Sequence, residues 1–216
     1  MNQGKTIGDL LGGLAVTLNA EIRRGQPRVT ITPEVLLNLE REFGYSLPDD
    51  YREFLVEFGG LTVDSVPLPT SRKSRGVLGP NASIAPYDFH TLFIYGMYAP
   101  NAAGHWHSLD LRWGLAELRP VLPAGFFPIA EHVQNRTVCI SCRPDGFGEV
   151  YIHYAEDATV AENDPACLDA DGAVKPESLC VKLAPSFTDF LASLRSASDD
   201  EVSEYDKLLD RLLDGA

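Results

Sequence analysis

The stretch LEREFGYSLPDDYREFLVEFGG, residues 39–60, decides the fold. Its second half is a helix with start, buried face and stop all written in. Ser46 reads as an N-cap with Asp49 three residues on, and Pro48 fits the first turn, where a missing N–H costs little. Tyr51, Phe54, Leu55 and Phe58 fall at i, i+3, i+4 and i+7 and so form one apolar face, which Gly59 and Gly60 end. Upstream, TPEVLLNLEREFG (residues 32–44) announces a preceding helix: Thr32 caps it, Pro33 fits its first turn, Gly44 closes it, and Leu36, Leu39 and Phe43 make the buried stripe. With only GYS between them, the two helices are expected to pack antiparallel. This is packing grammar, not catalytic chemistry.

The rest of the chain is read outward from that pair. At 216 residues, 44% hydrophobic and 23% charged, the composition is that of one globular domain with terminal extensions, large enough to bury a core. The formal net charge is −13 and the pI about 4.7. Such a surface repels phosphate backbones and attracts basic partners, which argues against direct nucleic-acid binding. Four cysteines, Cys139, Cys142, Cys167 and Cys180, are too few for a disulfide-built secreted fold and favour a reducing, cytoplasmic location. The N-terminal run IGDLLGGLAVTLNA superficially resembles a signal peptide. Asp9 interrupts it, however, and Ile7, Leu10, Leu11, Leu14 and Leu18 recur at helical spacing, so an amphipathic first helix is expected, with Thr6 and Asp9 as its capping box. No 18-residue uncharged apolar run occurs, which excludes a membrane-spanning helix.

Residues 21–28 (EIRRGQPR) read as a linker. Residues 61–86, rich in Pro, Gly and Ser, read as a long loop whose basic cluster SRKSR (71–75) is a solvated tip. FHTLFIYGMY (89–98) suits a buried strand, and the middle of HSLDLRWGLAELRPVLP (107–123) a helix stopped by Pro120 and Pro123. RTVCIS (136–141) and GEVYIHY (148–154) are β-rich runs around an Asp145-Gly146 turn, so an antiparallel hairpin is expected. Val150, Ile152 and Tyr154 would face one side of it and Tyr151 and His153 the other. ESLCVKLA (177–184) offers a further strand. PSFTDFLASLR (185–195) repeats the cap-and-stripe pattern, with Ser186 and Asp189 as the box and Phe187, Phe190, Leu191 and Leu194 buried. The acidic tail, with Val202, Tyr205, Leu209 and Leu212 on one side, reads as a last amphipathic helix. The terminal helices could pack on the core or mediate self-association, and packing is favoured.

Candidate chemistry is thin. Cys139 and Cys142 form one C-x-x-C without a second tight pair, so the cysteines read as small buried residues rather than zinc ligands. His105 and His107 in HWH have ligand-like spacing but no third partner, and read as part of an exposed loop suited to a protein interface. His90, His132 and His153 are scattered singly. Phosphate-binding loops, a G-x-S-x-G elbow and an H-E-x-x-H helix are all absent from the sequence, so neither catalytic residues nor a cofactor is expected.

In order along the chain, LEREFGYSLPDDYREFLVEFGG, FFPIAEHVQNRTVCIS, GEVYIHY and SFTDFLASL resemble the segments of the SUKH superfamily. These are its first helix pair around an L-P-x-x-Y turn, an apolar-Pro-apolar-Ala-Glu step leading into a strand, the next strand, and the closing helix. The chain departs from the pattern after the Ala-Glu step, where HVQNRT keeps only Asn135 of the usual glycine and asparagine chemistry. The resemblance implies an α+β domain over residues 30–195, with a largely antiparallel sheet flanked by helices. Residues 1–29 would be an N-terminal helix and linker, and 196–216 an acidic C-terminal helix. It further implies a non-enzymatic protein that binds and neutralises a cognate bacterial polymorphic or contact-dependent toxin, such as a basic nuclease. The alternative it leaves is an intracellular interaction or scaffold module. The expected partner-binding residues are Asp49, Asp50 and Glu53 on the cassette helix and Tyr98, Trp106 and Asp110 in the aromatic loop.

Overall fold

The computed structural model describes residues 6–11, 16–18, 31–59, 61–63, 77–78, 93–97, 111–118, 120–132, 136–154, 161–196 and 200. The chain begins with α1 (Ile7–Leu11) and β1 (Val16–Leu18), followed by α2 (Pro33–Phe43) and α3 (Asp49–Phe58). Three strands come next, β2 (Leu61–Val63), β3 (Val77–Leu78) and β4 (Phe93–Met97), and then α4 (Leu111–Leu118). β5 (Phe126–His132), β6 (Arg136–Ser141) and β7 (Val150–Tyr154) form the middle of the sheet. After two short 3₁₀ turns, Pro165–Cys167 and Pro176–Leu179, come β8 (Cys180–Ala184), α5 (Phe187–Ser193) and β9 (Arg195–Ser196).

Each helix end has a local cause. Thr6 and Asp9 close the capping box of α1 reciprocally: the Thr6 N–H donates to the Asp9 carboxylate at 2.9 Å, and the Asp9 N–H to the Thr6 hydroxyl at 3.1 Å. Thr32 caps α2, Pro33 opens it, and Gly44 ends it at φ 77°, a left-handed conformation that glycine adopts without a Cβ penalty. Gly59 ends α3 in the same way, and the Ser186 hydroxyl accepts the Asp189 N–H at the head of α5.

The nine described strands form one sheet with the path β1-β2-β4-β5-β6-β7-β8, to which β3 adds by pairing with β4 and β9 by pairing with β3. Every pairing is antiparallel. The architecture is therefore α+β. The 136–154 hairpin forms as expected, with Val138 opposite Ile152 and Cys139 opposite Tyr151. Pro128 is accommodated in β5 where the register with β6 shifts, so its missing N–H leaves a bulge in place of a broken ladder.

One core fills the space between sheet and helices. Phe127, Ile129, Val138, Ile140 and Val150 from the sheet meet Leu36, Leu39, Tyr51, Phe54, Leu55, Leu115, Phe187 and Phe190 from the helices. At its centre the Phe187 ring lies 5.0 Å from Tyr51 and 5.1 Å from Phe54, both inclined as aromatic pairs prefer. Ile7 and Leu11 of α1 join the same core, and β1 extends the sheet. Of the residues before 30, the described ones in α1 and β1 thus join the core and the sheet.

Four expectations need correction. Leu18 belongs to β1, not to the first helix, which ends at Leu11; two glycines follow that helix, and the β-branched Val16 and Thr17 favour a strand. Ser46 does not cap α3, and Pro48 does not lie within its first turn: Pro48 occupies the cap position in an extended conformation with no side-chain bond. The 61–86 stretch contains β2 and β3. The apolar-Pro-apolar-Ala-Glu segment is itself the strand β5 rather than a lead into one. The linker at 21–28, the SRKSR tip, HWH and the acidic tail helix at 201–216 lie outside the described residues.

Candidate partner-binding surface

The α2–α3 joint is held by one carboxylate. Glu40, its side chain only 9% exposed, accepts the Leu47 N–H at 2.8 Å and the Arg52 guanidinium at 3.1 Å, so the turn between the helices has little freedom. Asp50 has a comparable role one turn away. One of its oxygens accepts the Tyr51 N–H at 2.9 Å, and the other takes the Thr188 N–H at 2.9 Å and the Thr188 hydroxyl at 3.1 Å. Thr188 lies in the first turn of α5, where backbone N–H groups lack helical partners and favour negative charge. The Asp50 carboxylate is thereby turned into the joint between α3 and α5.

Asp49 and Glu53, four residues apart on one helix face, are both exposed, and Glu57 continues the stripe. Val56 on the same helix and Leu37 on α2 are large apolar side chains that also reach solvent. The structure therefore brings Asp49 and Glu53 together and turns Asp50 inward. Tyr98, Trp106 and Asp110 fall outside the described residues.

A second surface, not foreseen from the sequence, lies where three turns meet at one end of the sheet. The 44–48 turn, the 120–125 turn and the 142–149 hairpin turn converge: Gly148 faces the Pro48 ring, and Gly125 packs under the Arg143 stem beside Tyr45. Tyr45, Val121 and Phe147 all project into solvent here, Phe147 with 49% of its surface exposed. Behind Tyr45 opens a cavity of about 210 Å³ lined by Phe43, Leu115, Leu122, Phe126, Phe127 and Cys142, among others. Its signal in the sequence is apolar residues sitting inside turns, Tyr45 after Gly44 and Phe147 between Gly146 and Gly148, where nothing in the local conformation requires them.

Arg143 forms one wall of this region. Its guanidinium pairs with Asp145 at 3.1 Å and Glu177 at 3.4 Å and lies 6.0 Å from the Phe126 ring centre. Hydrogen bonding from its own backbone, then the Arg143 guanidinium, holds the exposed Asp145 carboxyl below the usual range. Along the sheet, Glu149 accepts from the Lys182 ammonium and, at 2.5 Å, from the Tyr151 hydroxyl. Lys182 first, then Tyr151, lowers the Glu149 pKa. Burial, followed by that same hydrogen bond, pushes Tyr151 up to about 12.

Cys139 and Cys142 behave as packing groups, whereas Cys167 and Cys180 are only half-buried. Burial, reinforced by the nearby Glu40 charge, pushes Cys142 up to about 12, and burial followed by contact with Cys180 raises Cys139 well above an ordinary thiol. Both therefore stay protonated at neutral pH, the opposite of what a thiolate nucleophile needs. Among the described residues no group of three His, Cys, Asp or Glu is placed to hold a metal ion, and no described helix is long and apolar enough to cross a membrane.

Among the described residues, the antiparallel α+β scaffold presents an acidic helix and an apolar cluster of turns to solvent. The SMI1 / KNR4 family (SUKH-1) matches residues 30–193, most of the chain, and the chain belongs to that family. Membership places it among immunity and interaction modules that are generally non-enzymatic and that take proteins as partners. Neither curated proteins nor solved structures gave a match.

Proposed function

We propose that this chain is a cytoplasmic immunity protein that binds a cognate polymorphic or contact-dependent toxin and neutralises it by covering the toxin's working surface. The family match over residues 30–193 carries the reading. The formal charge of −13 supports it and suits a basic partner, such as a nuclease with a basic substrate-binding surface. An acidic inhibitor meets such a target at a rate raised by long-range attraction. Asp49 and Glu53 are the described residues assigned to that steering, because both point outward from a rigid helix. The binding unit is residues 30–195, flanked by extensions at 1–29 and 196–216.

The test is co-production with the toxin domain encoded beside the gene. Survival, together with a stoichiometric complex whose association slows with added salt, is expected. Continued killing in the presence of soluble, folded protein refutes the pairing. Neighbouring genes without any toxin would instead favour an interaction module serving a cytoplasmic complex.

A further inference from the structure

We propose that the cavity behind Tyr45 is a receptor for one large apolar side chain, an aromatic ring or leucine, presented by a basic protein partner. The proposal rests on the toxin-binding reading and gives that reading a contact point.

Size selects the occupant. An apolar cavity of about 150 Å³ stays dry and admits a benzene-sized molecule, whereas pockets for whole small-molecule ligands start at about 300 Å³. At about 210 Å³ the hollow here suits one phenyl or indole ring, or one leucine, and is too small for a cofactor or a helix. Its exposed lining has a substantial polar share, and the apolar share comes from three directions: Phe43 from α2, Leu115 from α4, and Leu122 with Phe127 from the turn and β5.

The wall is built, not a gap left by loose packing. Gly125, a lining residue, sits at φ 82°, and a Cβ there would lie 2.6 Å from the Arg143 Cγ, so the glycine is what allows the Arg143 stem to pack directly against it. Asp145 and Glu177 then fix the far end of that arginine. Close by, Glu40 and Arg52 lock the turn that carries Tyr45. A receptor whose walls are held before binding loses little entropy on filling.

Charge selects the surroundings of the knob. The ion pairs around the mouth set three carboxylates, Glu40, Asp145 and Glu177, against two guanidiniums, Arg52 and Arg143, leaving one negative charge in excess. Asp145 is the most exposed of them, with 77% of its side chain in solvent. With Phe147 beside it, the mouth matches an apolar knob flanked by lysine or arginine. An aromatic anchor filling a pocket, ringed by contacts that exclude water, is the usual form of an interface hot spot.

Indole is the probe, added to the full chain and followed by NMR. Saturable shifts are expected, with intermolecular NOEs from the indole ring to the methyl groups of Leu115 and Leu122. Ala124, an exposed lining residue, provides the plug: Ala124→Phe should weaken indole binding at least tenfold, and Ala124→Ser should not. Absence of saturable shifts, NOEs to other methyl groups, or equal binding by Ala124→Phe with its fold intact would overturn the proposal. With the toxin domain in hand, Ala124→Phe should weaken the complex about a hundredfold. A wild-type chain that fails to bind the toxin refutes the immunity reading. A wild-type chain that binds no more tightly than Ala124→Phe refutes the cavity's role alone.

Discussion

Replacing Asp50 by alanine separates a joint of the fold from a contact of the surface. The carboxylate bridges 138 residues of sequence to reach the Thr188 N–H and hydroxyl, at 2.9 and 3.1 Å. Hydrogen bonds to a charged group contribute about 1.5–3 kcal/mol each when fully desolvated, and losing a helix-capping side chain costs about 0.5–2 kcal/mol. Asp50 is half-buried, so water can enter to satisfy part of what alanine leaves behind. Ser186 continues to cap α5 through the Asp189 N–H. These considerations converge on a loss of about 2 kcal/mol for Asp50→Ala. For a chain of this length that lowers the melting temperature by about 4–8 °C. Asp50→Asn keeps an acceptor oxygen but gives up the charge that favours the helix N-terminus, and should lose about half as much. Urea unfolding of the three proteins reads the difference directly. A change within about 0.5 kcal/mol for Asp50→Ala, the usual range for an exposed substitution, would refute the reasoning.

Three further predictions test other parts of the structure. Phe187→Ala removes the ring that Tyr51 and Phe54 both contact and should cost about 3–5 kcal/mol, with Phe187→Leu losing much less by the same urea assay. Cys139 and Cys142 are protonated and buried, so native protein at pH 8 should be alkylated first at Cys167 and Cys180, with peptide mapping as the readout; early labelling of Cys142 would contradict its environment. The folded-state pKa of Glu149 is depressed, so its contribution is present in full above the unfolded value of about 4.3 and is lost as pH falls through the lower folded value. Glu149→Gln should therefore be less stable than wild type at pH 7, with the deficit closing through that acid window; a deficit independent of pH would count against the Lys182 and Tyr151 contacts as its source.

How much of this was legible depended on how far apart the interacting residues lie in sequence. Thr6 with Asp9, Thr32 with Pro33, and Ser186 with Asp189 act across one helical turn, so each helix start could be read from a few letters. The same periodicity placed Asp49 and Glu53 on an outer face. Asp50 obeys that periodicity too, yet its partner is on another helix, so sequence spacing could not show that it turns inward. Ser46 reads as the cap from spacing alone, but the Glu40 carboxylate, seven residues before Leu47, is what binds the turn's free N–H. Strands β2 and β3 are two or three residues long and carry no period of their own. They exist through pairing with β4, which is remote in sequence.

The two surfaces also differ in what they can contribute to a complex. Asp49 and Glu53 stand on a solvated helix, where water and salt screen each charge, so their effect falls mainly on the rate of encounter. The cavity is small and lies beside turns held by the Glu40–Arg52 and Arg143–Glu177 pairs, so a side chain seated there would act mainly on the rate of departure. Within the turns that form the mouth, Leu47 and Cys142 point into the core, whereas Tyr45, Val121 and Phe147 reach solvent. Their outward residues can therefore change without disturbing the Tyr51, Phe54 and Phe187 cluster. A scaffold with that separation can keep its fold while its partner changes.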